Sequence, residues 1–143
     1  MKKIFTVLVL LCATLVASAQ DVPSSFPRKY LIEHFTGDQC GYCPYGMYSI
    51  MEYSANTTTP CIWVSHHEGY NKDEYTIPES AKIGSTCGVQ GAPNMAMNRT
   101  KIMGTAIAFH PGYLTEDGMA ETIADKCDTT AEASVIIDHT FNA

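Results

Sequence analysis

The chain has 143 residues, of which 45% are hydrophobic and 17% charged, and its formal net charge is −6. This length allows one domain with a core of its own, and the sequence contains no internal repeats or low-complexity runs. The acidic balance without a basic patch argues against nucleic acid or anionic lipid as a partner.

The first 19 residues have the pattern of an export signal. Lys2 and Lys3 precede an apolar run over residues 4–16, and the small residues Ala-Ser-Ala follow at 17–19. The run is shorter than the ~20 apolar residues that a membrane span needs. We therefore predict a secretory signal peptide over residues 1–19, cleaved after Ala19, with no transmembrane span afterwards.

Export would change the charge and the cysteine chemistry of the chain. Cleavage leaves 124 residues with a formal charge of −8, because Lys2 and Lys3 are removed, and it leaves five of the six cysteines. An oxidising compartment permits disulfides. Because five is an odd number, at least one thiol is free or pairs with another molecule, and the pairing of Cys61, Cys87 and Cys127 stays open.

The segment after the signal predicts an arm, a strand and a helix. Residues 20–28 are rich in proline and serine and are predicted to form a leader arm. A strand is predicted over residues 29–35, and Gly37 and Asp38 break it. The motif Cys40-Gly-Tyr-Cys43 then opens a helix that runs to about Ala55, with Cys40 beside the N-cap and Cys43 one turn inside. Pro44 fits the first turn, because its missing N–H would have had no helical partner.

A Cys-x-x-Cys at a helix start has a redox interpretation and two structural ones. Free N–H groups and the positive end of the helix dipole would stabilise a thiolate at Cys40, which we expect to be the exposed cysteine. Cys43, expected to be buried, can attack the same sulfur. The structural alternatives are a permanent disulfide and half of a zinc site. The order strand, loop, Cys-x-x-Cys and helix favours the redox interpretation.

The middle of the chain predicts a second strand and a polar end to it. Residues 61–65 form an apolar run without alternation, typical of a central parallel strand that is covered on both faces. His66, His67 and Glu68 follow at the end of this strand. Adjacent histidines on a strand point to opposite faces, so we predict no metal site here and expect these side chains to line a cleft beside Cys40.

The remaining elements are predicted from turns and spacing. A short helix begins at Pro78, a strand with alternating apolar residues covers 94–99, and another short strand covers 106–109. Thr115 is predicted to cap a helix that runs through Cys127. Residues 131–143, the last of the sequence, are predicted to form a strand.

Two of these segments resemble the thioredoxin-like superfamily. The Cys40-Gly-Tyr-Cys43 tetrad is the one found in periplasmic disulfide isomerases, and Gly88-Val-Gln-Gly-Ala-Pro93 resembles the superfamily's cis-proline loop. With Asn98-Arg99, the pattern is similar to a Bacteroidetes family of secreted thioredoxin-like proteins named for a twenty-eight-kilodalton outer-membrane protein. The resemblance covers roughly residues 28–128. One departure is Gln39, which stands where many relatives have Trp.

The resemblance implies a fold and roles for particular residues. The fold would be α/β, a thioredoxin-like mixed sheet of about four strands flanked by helices, over residues 29–130. Residues 131–143 would be the first strand of a β-sandwich domain that is missing from this chain. The Ala92–Pro93 bond would be cis, and Tyr42, Ala92 and Pro93 would line a substrate groove. Glu33 would be a proton shuttle, with a solvated strand residue as the alternative.

The resemblance also implies a function, with one rival. The chain would be an envelope thiol–disulfide oxidoreductase with Cys40 and Cys43 as its catalytic residues and no separate cofactor or metal. Its partners would be exported protein substrates or a redox partner protein, in the periplasm, at the outer membrane or at the cell surface. The alternative is an outer-membrane or surface adhesin-like binding module in which the Cys-x-x-Cys is a structural disulfide.

Overall fold

The structure is a computed structural model that describes residues 26–127 and 130–131. The predicted signal peptide, most of the leader arm and the strand expected after Ala131 lie outside the described residues. Within the described ranges, no helix is long and apolar enough to cross a membrane.

The described residues form three helices and a three-stranded mixed sheet. In chain order the elements are β1 (Phe26–Pro27), β2 (Tyr30–Thr36), α1 (Cys43–Asn56), β3 (Cys61–His67), α2 (Pro78–Cys87), β4 (Asn94–Met97), a 3-10 helix (Pro111–Thr115), α3 (Met119–Lys126) and β5 (Thr130–Ala131). In the main sheet β2 pairs with β3 in parallel and with β4 antiparallel, while β1 and β5 form a separate two-stranded sheet. The predicted α/β class is confirmed, and the architecture is consistent with a thioredoxin-like fold.

The segment 106–109 does not form the fourth strand that the sequence predicts. Only Phe109 bridges to β4, through two backbone hydrogen bonds with Met95 of 2.8 and 2.9 Å. The N–H of Ala108 instead donates to the carbonyl of Cys87 at the end of α2 (2.8 Å). The bridge does not extend along β4, because Met97, two residues after Met95, pairs with Thr100 instead. The main sheet therefore has three strands in the part of the chain that the structure describes.

The prediction that residues 61–65 are the central strand is wrong for the described part of the chain. The strand order is β3-β2-β4, so β2 is central. Ile62 and Val64 on β3 are 48% and 41% exposed, whereas β2 is buried from Ile32 to Thr36. An apolar run without alternation does not by itself distinguish a strand covered on both faces from a strand covered on one face.

The two faces of β2 belong to different layers, because strand side chains alternate. Ile32 lies on the face that packs against α1, in one cluster with Ile50 and Met97. Phe35 lies on the opposite face, in a cluster with Cys87 at the end of α2. By the same alternation, His34 lies on the α1 face and Glu33 on the α2 face.

Two helices differ from their predicted bounds. The short helix predicted from Pro78 continues to Cys87 and ends at Gly88, whose left-handed conformation (φ 74°) stops it. The last helix begins at Met119 rather than after Thr115. The Thr115 hydroxyl donates to the carbonyl of Gly112 (3.0 Å) within the 3-10 helix, and Gly118 (φ 77°) separates the two elements.

Candidate functional site

Cys40 and Cys43 form a disulfide at the start of α1. Two successive turns hold it: the N–H of Cys40 donates to the carbonyl of Gly37 (3.2 Å), and the N–H of Cys43 to the carbonyl of Cys40 (3.2 Å). Tyr42 is the N-cap of α1. Cys43 is therefore the first helical residue and Cys40 lies two residues before the cap, each slightly upstream of its predicted place.

Both cysteines are buried in the disulfide form. Cys40 is 6% exposed and Cys43 2%, so the prediction of an exposed Cys40 is wrong for this form, because the turn from Gly37 folds it against the start of the helix. The N–H groups of Tyr45 and Gly46 donate to the carbonyl of Tyr42 (3.1 and 3.4 Å). The N–H groups of Cys43 and Tyr45 in the first turn are thus used by the backbone, and the dipole of α1 remains to favour a thiolate.

Pro93 lies against the helix that begins at the disulfide. The Ala92–Pro93 peptide bond is cis, as the sequence predicts. A Cβ placed on Gly46, one turn after Cys43, would lie 2.8 Å from the Cβ of Pro93. Pro93 is buried, Ala92 is half-buried and Tyr42 is 76% exposed. The groove that these three residues are expected to line stays a prediction.

Glu33 is buried and ion-paired. It is 3% exposed, and its carboxylate accepts two hydrogen bonds from Arg99, Nε to Oε2 at 2.8 Å and Nη2 to Oε1 at 2.7 Å. These bonds lower the pKa of Glu33, while burial acts in the opposite direction. The alternative of a solvated strand residue is wrong. The proton-shuttle role stays a prediction, and the ion pair with Arg99 works against it because it favours the ionised form.

The two histidines after β3's apolar run have different partners, because they point to opposite sides of the strand. Nε2 of His66 lies 3.3 Å from Oε1 of Glu33, and its ring stacks on Phe35 with a centroid distance of 5.4 Å. Nδ1 of His67 lies 2.6 Å from Oδ2 of Asp73. Within the described ranges, no group of three or more His, Cys, Asp or Glu side chains could hold a metal ion.

His34 is a buried histidine to which the sequence interpretation assigned no role. Its side chain is fully buried, and neither ring nitrogen has a hydrogen-bond partner in the part of the chain that the structure describes. Its ring meets that of Trp63 edge-on, at a centroid distance of 5.9 Å. Burial, and then the charge of His67, lowers the pKa of His34 to about 4. Strand alternation placed it opposite Glu33, but only the packing shows that its face meets α1.

The outer face of α1 exposes large side chains, and the sequence interpretation assigned no role to Tyr45 or Tyr48. Tyr45 is 73% exposed, Tyr48 64% and Met51 57%, next to the exposed Tyr42. The signal was present in the sequence, because residues 43–51 contain no charged side chain. Aromatic and methionine side chains are enriched in protein interfaces.

The other described cysteines are free thiols. Cys61 is half-buried, while Cys87 and Cys127 are buried. Burial is the largest cause that raises the pKa of each of these thiols. They are therefore weak nucleophiles compared with a thiolate at a helix start.

No family model matches the chain, and no curated protein matches it. Among solved structures, the chain is similar to HBP35 of Porphyromonas gingivalis, with 21% sequence identity and a TM-score of 0.48. The similarity covers 73% of this chain and 35% of that one, so the chain spans about a third of the length of that protein. The more specific family that the sequence suggests stays a prediction.

Proposed function

We propose that the chain is an exported thiol–disulfide oxidoreductase that acts on other exported proteins in the envelope. The observation that carries the proposal is the Cys40–Cys43 disulfide, which lies between the end of a central strand and the start of a helix. We expect that a disulfide in this position can be reduced and formed again without disturbing the strand before it or the helix after it. No separate cofactor is needed for the exchange.

The chemistry starts from the reduced pair. The Cys40 thiolate attacks one sulfur of a substrate disulfide, forms a mixed disulfide and releases the other substrate sulfur as a thiolate. Cys43 then loses its proton and attacks Sγ of Cys40, which releases the second substrate sulfur and closes the ring present in the structure. Two electrons pass from the protein dithiol to the substrate. A redox partner protein would return them, and the reverse sequence would oxidise a substrate dithiol.

The substrate would lie on the residues that flank the disulfide. Tyr42 stands between the two cysteines and is 76% exposed, so it can contact an incoming polypeptide. Ala92 and Pro93 precede β4, and Pro93 packs on the same helix as Cys43. We assign these three residues to the substrate groove, with Cys40 as nucleophile and Cys43 as the resolving cysteine.

The test is to trap the mixed disulfide. Replacing Cys43 by Ala leaves Cys40 able to attack but removes the thiol that releases the product. The variant is built in a Cys61→Ser background, because Cys61 is the half-buried free thiol and could form adducts of its own. We expect adducts with exported proteins that disappear under reductant. The matched control is the same background carrying Cys40→Ser and Cys43→Ala, which should form none.

The outcome also decides between the proposal and its rival. If no Cys40-dependent adduct forms, and the unmodified chain neither reduces nor reshuffles a model disulfide, the pair is a structural staple. The chain is then better described as a surface or adhesin-like binding module. The observation that favours this second function is the exposed face of α1, formed by Tyr42, Tyr45, Tyr48 and Met51.

A further inference from the structure

The loop that carries Cys40 is held by a second loop, which follows the neighbouring strand β3. The first, the cysteine loop (residues 37–42), connects β2 to α1. The second, the Asp73 loop (residues 68–77), connects β3 to α2. Because β2 and β3 are parallel neighbours, both loops begin at the carboxyl ends of these strands, on the same side of the sheet. The first residue of the Asp73 loop contacts the end of β2 directly, since the N–H of Glu68 donates to the carbonyl of Thr36 (3.0 Å).

Asp73 makes the central contact between the two loops. Its Oδ2 accepts a hydrogen bond from the backbone N–H of Asp38 (2.9 Å), and Nδ1 of His67 lies 2.6 Å from the same oxygen. Its Oδ1 accepts the N–H of Tyr75 (2.9 Å) and the hydroxyl of Thr76 (3.2 Å). The Asp73 side chain is only 2% exposed. One carboxylate thus joins the end of β3, its own loop and the cysteine loop.

Two further observations support this connection. A Cβ placed on Gly37 would lie 3.3 Å from the Cβ of Tyr70, so the loops also pack directly. The pKa of Asp73 is lowered, first by its hydrogen bond with His67 and then by the Asp38 and Tyr75 amides and the Thr76 hydroxyl, against the effect of burial. The carboxylate is therefore ionised at neutral pH and acts as a strong, charge-assisted acceptor.

We propose that Asp73 is a positioning residue for Cys40, acting through the N–H of Asp38. The inference rests on the proposed function and goes beyond it, because it assigns part of the redox chemistry to the loop after β3. The bond to Asp38 holds the turn in which the N–H of Cys40 donates to Gly37 (3.2 Å), two residues further on. It does not involve the reacting sulfurs themselves.

Loss of the carboxylate has two effects on the disulfide, and they add. A looser cysteine loop lowers the effective concentration of one sulfur for the other, which disfavours ring closure. Removal of the negative charge that is hydrogen-bonded to the cysteine loop favours the Cys40 thiolate in the reduced form. Both effects make the disulfide easier to reduce. A mutation that destabilised the oxidised and the reduced form equally would not shift this redox equilibrium.

The experiment measures the equilibrium between the protein dithiol and glutathione disulfide, which yields the protein disulfide and two glutathione thiols. We expect Asp73→Asn and Asp73→Ala to lower the equilibrium constant by about fivefold, the size expected for one lost hydrogen bond. Asn has a single acceptor oxygen and cannot serve both pairs of donors. Glu74→Gln is the matched control, because it removes an exposed charge one residue away. We expect it to stay close to the unmodified protein.

A measurement on the unmodified protein keeps the proposal testable if the Asp73 variants fail to fold. The Asp38 amide should exchange with solvent at least about tenfold more slowly than a free amide, since Asp73 accepts its hydrogen. Unprotected exchange, or an equilibrium constant that Asp73→Asn leaves unchanged, would overturn the proposal. These readouts are separate from the trapping of mixed disulfides. The absence of Cys40 adducts would instead overturn the proposed function.

Discussion

At the scale of single residues, the buried polar groups on the two faces of β2 determine how the stability of the protein depends on charge and pH. Glu33 is paired with Arg99 on the α2 face, whereas His34 has no hydrogen-bond partner among the described residues on the α1 face. A buried carboxylate is tolerated because a guanidinium compensates it, and a buried imidazole is tolerated because it remains neutral. Each arrangement predicts a measurable effect.

The Glu33–Arg99 pair predicts a large cost for the loss of one partner and a smaller cost for the loss of both. Arg99→Met should lower the free energy of unfolding by about 2 kcal/mol, because it leaves the Glu33 carboxylate buried without its counter-ion. The value lies below the usual cost for a fully buried pair because the Arg99 side chain is 46% exposed. Combining Arg99→Met with Glu33→Gln should recover at least half of the loss in urea unfolding. No recovery would show that Glu33 is not held by its charge.

His34 predicts a dependence of stability on pH. Burial lowers its pKa from an ordinary 6.5 to about 4, so the unfolded chain binds more protons between these pH values. The free energy of unfolding should therefore be highest above pH 6.5 and fall as the pH approaches 4, by about 3 kcal/mol in total. His34→Phe keeps a ring but removes both nitrogens. Urea unfolding of this variant should show little of the loss between pH 6.5 and 4.5, and an unchanged slope would assign the loss to other groups.

At the scale of elements, the first turns of α1 pack closely against two prolines, Pro93 and Pro111. A Cβ on Gly46 would lie 2.7 Å from Cγ of Pro111 and 2.8 Å from Cβ of Pro93. These distances are shorter than any real Cβ contact, and rings of proline have little freedom to move. The close approach of α1 to the cis-proline loop thus depends on a residue without a side chain.

Gly46→Ala should therefore destabilise the protein although alanine is the better helix former. We expect the free energy of unfolding to fall by about 1–3 kcal/mol, the usual cost of overpacking. Gly41→Ala is the matched control, because a Cβ there meets nothing within 4 Å. Thermal unfolding of the two variants checks the contrast. Equal stability of both would show that α1 can move away from the prolines without cost.

At the scale of the whole molecule, the described part of the chain lies within one compact unit, Pro27–Ala131, apart from Phe26. The end of the domain at residue 130, which the sequence predicts, stays a prediction. We predict that a chain ending at Ala131 keeps the free energy of unfolding of the full chain within about 0.5 kcal/mol. Its Cys40–Cys43 pair should also keep the same equilibrium with glutathione. A loss of cooperative unfolding would show that residues 132–143 belong to the same folding unit.

The sequence by itself determined the features that depend on near neighbours. Cys40 and Cys43 are three residues apart, so the turn and helix start that join them were predicted within two residues. The cis bond before Pro93 was implied by the resemblance of its loop, and the apolar run at 61–65 indicated a parallel strand, as β3 is. Local spacing suffices in these cases, because turn and helix hydrogen bonds join residues only a few positions apart.

Only the tertiary structure decided which distant groups meet. Arg99 reaches Glu33 over 66 positions, and Asp73 reaches Asp38 over 35. No periodicity predicts such pairs, because they depend on the order of the strands and on which face of β2 meets each helix. The same holds for β3. Its apolar sequence is typical of a covered strand, yet Ile62 and Val64 are exposed among the described residues. Burial and charge pairing are settled by the assembled layers, which a local pattern does not contain.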